Sequence, residues 1–220
     1  TYPGIKGSSY EYLYEIGKRL DILKLYHFQG VDQQTGIYGF QDINNDGEIS
    51  YPGDILSHKF RGQRLYGGIN NTFIFKGFEL SMFIHVVNQT ALNYLDGLFR
   101  VPGAMSNQPN MVLTNWTKPD DIVNFQKYTQ SSSTIAGQAY SLLQSSDAKI
   151  SNASFVRIKN ISLSYQLATK AIKRLKFQQL KCYVQTQNIF TFTNYLGWDP
   201  ETQGSLPPLK MITAGFHITL

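Results

Sequence analysis

LYGGINNTFIFKGFELSMFIHV, residues 65–86, carries a period of two on both sides of a Lys-Gly pair. Leu65, Ile69, Phe73 and Phe75 fall on one side of an extended chain, against Tyr66, Asn70 and Thr72. Phe78, Leu80, Met82, Ile84 and Val86 then share a side, against Glu79, Ser81, Phe83, His85 and Val87. Successive side chains of a strand point to opposite faces, so this alternation predicts two strands with one apolar face. Lys76-Gly77 between them predicts a tight turn, because glycine accepts the positive φ that a two-residue hairpin loop needs.

The same period recurs. In NISLSYQL (160–167), Ile161, Leu163, Tyr165 and Leu167 oppose Ser162, Ser164 and Gln166. In LKCYVQTQ (180–187), Leu180, Cys182 and Val184 oppose Lys181, Tyr183, Gln185 and Gln187. The chain closes on KMITAGFHITL (210–220), where Ile212, Ala214, Phe216, Ile218 and Leu220 oppose Met211, Thr213, Gly215, His217 and Thr219. RLDILKLYHF (19–28) is read as a further strand with weaker alternation. Six or seven strands of about nine to twelve residues are expected.

Composition agrees with an all-β chain. Of 220 residues only 16% are charged and 14% are aromatic, with 18 glycines, against about 25% charged in ordinary globular domains. No run of about 18 apolar residues is present, which argues against a membrane-spanning helix but not against a spanning barrel. Cys182 is the only cysteine, so no internal disulfide forms. TYPGIKGSSY at the start has no signal-peptide pattern. Net charge is +5, partly from TKAIKRLKFQQLK (169–181); this is read as a solvated turn, not a nucleic-acid patch.

The connections alternate between short (76–77, and a moderate 168–179 with room for a helical turn) and long (29–60, 88–153, 192–209). Short turns at one end and long polar loops at the other are the pattern of an outer-membrane barrel. A soluble sandwich also alternates apolar and polar residues, with strands nearer five or six residues, so periodicity by itself leaves both open.

Five segments then carry a resemblance. GVDQQTGIYGFQDINNDGEIS (30–50), RGQRLYGGINNTFIFKGFELSMFI (61–84), NWTKPDD (115–121), SFVRIKNISLSY (154–165) and YVQTQNIFTFTNYLGWDPET (183–202), in that order and closed by GFHITL, resemble the C-terminal part of SusC/RagA-type TonB-dependent outer-membrane transporters. The resemblance runs from about residue 15 to the end. It implies that residues 1–220 are part of a large antiparallel transmembrane β-barrel with long extracellular loops, in the bacterial outer membrane. It further implies a function in importing bulky nutrients, glycans or peptides. The implied partners are the remainder of the barrel and its plug, a SusD-like surface lipoprotein, TonB acting through an N-terminal region not visible here, and the barrel-insertion machinery. Gly215, Phe216, Ile218 and Leu220 would form the terminal insertion signal; the family usually closes on an aromatic residue, and Leu220 departs from that. The barrel reading places Ile161, Leu163, Tyr165, Leu180, Val184, Phe216 and Ile218 against lipid. The alternative is a soluble calcium-binding all-β module for carbohydrate binding or adhesion.

DINNDGEISYPGD (42–54) sets Asp42, Asn44 and Asp46 at alternate positions before Gly47. Oxygen donors at positions one, three and five of a loop converge on a hard cation, and glycine permits the bend. Glu48, through its carbonyl, Ser50 and Asp54 complete the expected calcium set; Gly53 stands where an EF-hand has its bidentate glutamate. His27, His58, His85 and His217 have no metal-ligand spacing. No nucleophile, phosphate-cradle or dinucleotide motif appears, so neither an enzyme nor an organic cofactor is expected. Tyr94, Trp116 and Trp198 are the substrate-contact candidates, with Phe99 and Tyr140 as further loop aromatics. Five Asn-x-Ser/Thr sites, such as Asn115-Trp116-Thr117, would normally carry no glycan in that setting.

Overall fold

The computed structural model describes residues 4–11, 13–97, 100–167 and 177–219. Leu220, Phe99 and the proposed helical turn in 168–176 lie outside them. The chain divides into two compact units, Thr1–Gly62 with Thr90–Ser151, and Gln63–Gln89 with Asn152–Leu220.

The second unit is built on one antiparallel sheet. β5 (Gly62–Phe75), β6 (Phe78–Leu92), β8 (Phe155–Gln166), β9 (Gln179–Thr193) and β10 (Met211–Thr219) follow the order β10-β9-β8-β6-β5, and the short β7 (Ile150–Asn152) pairs with β6 as the sixth strand. Each long strand lies beside its sequence neighbour among the long strands, so the sheet is a simple meander. The Lys76-Gly77 turn has positive φ at both residues, 45° and 86°, as a two-residue hairpin loop requires. β6 and β9 have 15 residues each, roughly 50 Å of extended chain at about 3.4 Å per residue. That exceeds the 9–11 tilted residues that cross a bilayer.

Two cross-strand contacts explain glycines within these strands. A Cβ on Gly215 would lie 2.7 Å from the Tyr183 hydroxyl, and one on Gly68 would lie 2.6 Å from the Phe83 ring. An aromatic side chain lying over a glycine on the next strand covers backbone that would otherwise be bare.

β8 contains a bulge between Ile158 and Asn160, seen in its registers with both β6 and β9. One extra residue shifts the face of everything beyond it. Arg157 and Ile161 are both odd-numbered, yet they fall on opposite faces.

The first unit corrects two sequence expectations. Segment 19–28 is not part of the long sheet. Its β1 (Ile22–Tyr26) pairs antiparallel with β4 (Ile55–Phe60) in a separate two-stranded sheet. Leu25 and Tyr26 are both buried although they point to opposite sides, which is the mark of a strand covered on both faces. The long stretches 29–60 and 88–153 are also not plain loops. β2 (Phe28–Val31) pairs with β3 (Tyr38–Phe40), and helix α1 spans Ile135–Leu143. Tyr26, Tyr38, Phe40, Val101, Val112, Phe125, Ala139, Tyr140 and Leu143 form one core. Phe28 packs edge-on to Tyr38 with centroids 5.5 Å apart. The Thr134 hydroxyl caps α1 by accepting from the Gly137 amide, a Thr-before-apolar start that the polar run QSSST conceals. No described helix is long and apolar enough to cross a membrane, which says nothing of strands.

Candidate functional site

The registers assemble the strand alternations into two continuous faces. One carries the rows Phe78–Tyr165–Cys182–Phe216, Leu80–Leu163–Val184–Ala214 and Met82–Ile161–Thr186–Ile212, then Ile84–Ile158–Phe190 and Val86–Val156–Phe192. Leu180 and Ile218 pair on the same face. All seven residues expected against lipid therefore share it. Phe216 is 72% exposed and Phe192 62%, and a contiguous apolar surface of this extent is uncommon on a soluble monomer.

The opposite face carries Glu79–Ser164–Tyr183–Gly215, Ser81–Ser162–Gln185–Thr213, Phe83–Asn160–Gln187–Met211 and His85–Arg157–Thr191. It is dominated by hydroxyl and amide groups. Its charges are paired: Lys181 lies 2.9 Å from Glu79, and Arg157 meets both Asp199 and Glu201.

Arg157 is 1% exposed and is the hub of this face. Its guanidinium donates to Asp199 and Glu201, and its Nε donates to the Thr191 hydroxyl at 2.8 Å. Lys159 reaches the same Glu201 carboxylate at 2.8 Å. Gln89, buried on β6, donates to the carbonyls of Ala153 and Pro200. The turn 199–202 in the β9–β10 connection is thus fastened to β6 and β8. Burial alone would push the Asp199 carboxyl up; the Thr202 and Glu201 amides and the Arg157 guanidinium more than reverse this and hold it below the usual carboxylate range. The network joins two stretches quoted for the resemblance, SFVRIKN and WDPET, and is invisible in the sequence because 42 residues separate Arg157 from Asp199.

The expected calcium set is only partly brought together. Asp42 accepts from the amides of Asn45 at 2.7 Å and Gly47 at 2.8 Å, and Asp46 accepts from the Glu48 amide at 2.8 Å and the Asn44 side-chain amide at 2.7 Å. Ser50 offers its amide to Asp54. Asp54 stands apart: it is fully buried, and its two oxygens take the amides of Ile43 and Ser50 at 2.8 and 2.7 Å. Those bonds hold its carboxyl below the usual range. Among the described residues no three His, Cys, Asp or Glu side chains converge as metal ligands. His27 lies 3.0 Å from Asp147 and His58 lies 3.1 Å from Glu15, while His85 and His217 fall on the polar face.

The substrate-contact candidates are dispersed. Tyr94 packs on Phe125 with centroids 6.4 Å apart. Trp116 donates from Nε1 to the Gln33 carbonyl at 2.9 Å, and its ring lies over Gly36. Tyr140 is core. Trp198 is 72% exposed beside the fastened turn. Of the terminal signal, Gly215 lies on the polar face, and Phe216 and Ile218 lie on the apolar one.

No protein-family model matches the chain. Two curated proteins from Formosa agariphila (strain DSM 15362 / KCTC 12365 / LMG 23005 / KMM 3901 / M-2Alg 35-1) do. TonB-dependent receptor P3 is 28% identical over 213 residues, 85% of this chain and 19% of the receptor. TonB-dependent receptor P39 is 26% identical over 172 residues, 74% of this chain and 15% of the receptor. The chain is a relative of TonB-dependent receptors. It spans less than a fifth of P39 and about a fifth of P3. Its fold matches the RagAB peptide importer in the open-open state, with a TM-score of 0.71 at 21% identity over 89% of this chain and 22% of that one. A second RagAB peptide transporter structure gives 0.70 at 22% identity over 88% of this chain. The matched proteins are receptors and importers, not enzymes, and the open antiparallel sheet is that of a partial barrel.

Proposed function

We propose that this TonB-dependent receptor relative forms part of the wall of an outer-membrane barrel that imports a bulky nutrient, a peptide or a glycan. The observation that carries the proposal is the predominantly apolar face that extends over β6, β8, β9 and β10, opposite a hydroxyl- and amide-lined face. In a spanning barrel the first meets lipid and the second meets the lumen. The peptide importers matched in fold support peptides as one cargo class. The plug, the TonB contact and the neighbouring barrel strands would come from the longer receptor, and a SusD-like lipoprotein would meet it at the surface. The long connections 93–154 and 194–210 leave the sheet at one end and the Lys76-Gly77 turn at the other, as the alternation of antiparallel strands requires, which puts the long ones outside.

Nitroxide labels at positions 163, 184 and 216 of the full-length receptor in bilayers test the assignment. Oxygen dissolved in lipid should relax these labels more than a water-soluble nickel chelate does. Labels at 162, 185 and 213 should show the reverse. An inverted pattern rejects the assignment of faces, and equal access of nickel to both sets rejects the barrel.

A further inference from the structure

We infer that Tyr183 and Gly215 form a register lock for the last strand: the tyrosine accepts only a glycine opposite it, and this selects the pairing of β10 on β9. The two residues are direct cross-strand partners on the polar face. A Cβ added at position 215 would lie 2.7 Å from the Tyr183 hydroxyl oxygen and 2.8 Å from the ring carbon that bears it. Only hydrogen fits there while the ring keeps its place.

Three devices can set the register of a strand, and the first two fail at this pair. The first is a tight turn. Lys76-Gly77 serves β5 and β6, but β9 and β10 are joined by the long connection 194–210, which leaves their offset open. The second is the contrast between the faces. It excludes a slip of one residue, which would turn Phe216 and Ile218 to the polar side. A slip of two keeps every residue on its own face. Val184 would exchange Ala214 for Ile212 or Phe216, and Cys182 would exchange Phe216 for Ala214 or Ile218, so the apolar rows re-form. The hydrogen bonds of an antiparallel ladder also repeat every two residues.

The third device is shape. After a slip of two, Tyr183 would face Thr213 or His217 in place of Gly215. Either brings a Cβ into the space that the tyrosine occupies. Gly215 is the one glycine of Met211–Thr219, so a single register leaves the ring undisturbed. An aromatic side chain over a glycine of the neighbouring strand pins register in this way. Phe83 makes the same contact over Gly68, where the tight turn has already set the offset. Asn188 Nδ2 also donates to the Leu209 carbonyl at 3.1 Å, through an exposed bond that contributes modestly against water.

The test is cysteine crosslinking of the full-length receptor in membranes, in a Cys182→Ser background. Gln185→Cys with Thr213→Cys reports the native register, in which these positions face each other. Gln185→Cys with Met211→Cys, and Lys181→Cys with Thr219→Cys, report slips of two in the two directions. Disulfides formed with copper phenanthroline are counted only in receptor that migrates as a folded barrel without heating. Tyr183→Ala should raise crosslinking of the slipped pairs by about fivefold, the effect of losing a strong cross-strand contact, and lower that of the native pair. Tyr183→Phe, which keeps the ring, should match wild type. Gly215→Ala gives a second reading: a Cβ then stands beneath Tyr183 in every register, so the native one loses its advantage and slipped pairs should rise as well. Combining Tyr183→Ala with Gly215→Ala should slip no more than Tyr183→Ala does. Crosslinking confined to the native pair in both Tyr183→Ala and Gly215→Ala overturns the lock. So does slippage in Tyr183→Phe, or in Asn188→Ala, equal to that in Tyr183→Ala. Crosslinks are read without transport, so failure of the lock leaves the import proposal standing.

Discussion

Arg157→Ala should be the most damaging single truncation on the polar face, because it strands the buried Asp199 carboxylate without its guanidinium partner. The Arg157 and Asp199 side chains are 1% and 8% exposed. Without the guanidinium, Asp199 keeps the amides of Glu201 and Thr202 on Oδ1 but loses its partner on Oδ2, and Thr191 loses the Nε donor. Breaking a buried pair from one side costs roughly 3–5 kcal/mol. Lys159→Ala touches the same Glu201 at a place where the side chains are 24% and 30% exposed, so about 0.5–1 kcal/mol is expected. Hydrogen exchange of amides 199–203 in the full-length receptor reads the opening of the turn. At about 1.4 kcal/mol per tenfold, Arg157→Ala should raise exchange there at least about a hundredfold and Lys159→Ala no more than about fivefold. Arg157→Met with Asp199→Asn should recover much of the protection, because the stranded charge is gone. The carboxyl of Asp199 titrates below its unfolded value, so its contribution is complete above about pH 4. That contribution disappears as pH falls through the lower folded value, and in Arg157→Ala the disappearance should begin at higher pH. Arg157→Ala and Lys159→Ala effects within about 0.5 kcal/mol of each other would refute the account of a buried hub.

Leu163→Arg places a charge in the middle of the apolar face and should cost roughly 2–4 kcal/mol at a bilayer midplane; the folded fraction of receptor recovered in membranes should fall, while Gln185→Arg on the polar face should leave it near wild type. Asp54→Ala removes the acceptor for the Ile43 and Ser50 amides, so protease should cut within 42–54 several-fold faster. Because the Asp54 carboxyl is held low, wild-type protection should persist from pH 7 down to about pH 4 and fade as pH drops through the folded value; undiminished protection at pH 2 would rule out this role. The proposal that Asp42, Asn44 and Asp46 hold calcium predicts protection of the loop that rises with millimolar calcium and is lost in Asp46→Ala, measured as cleavage rate with calcium and with chelator; equal rates in all four conditions would remove the metal.

The period of two in 65–86, 160–167, 180–187 and 211–220 was enough by itself to determine strands with one apolar and one polar face, because strand geometry ties side-chain direction to residue parity. The Lys76-Gly77 turn was legible from Gly77, which accepts positive φ; that Lys76 shares a positive φ was not. Three things needed the tertiary structure. The bulge at Lys159 reverses parity within β8, and no local propensity marks it. The pairing of β1 with β4, and the aromatic core that turns 29–60 and 88–153 into a folded unit, depend on contacts between residues far apart in the chain, such as Tyr26 with Phe40 and with the Ser145 carbonyl. The Arg157–Asp199–Glu201 hub likewise exists only once β8 and the β9–β10 connection are brought together. Periodicity reports which way a side chain points; what it meets there is decided by register and by long-range packing.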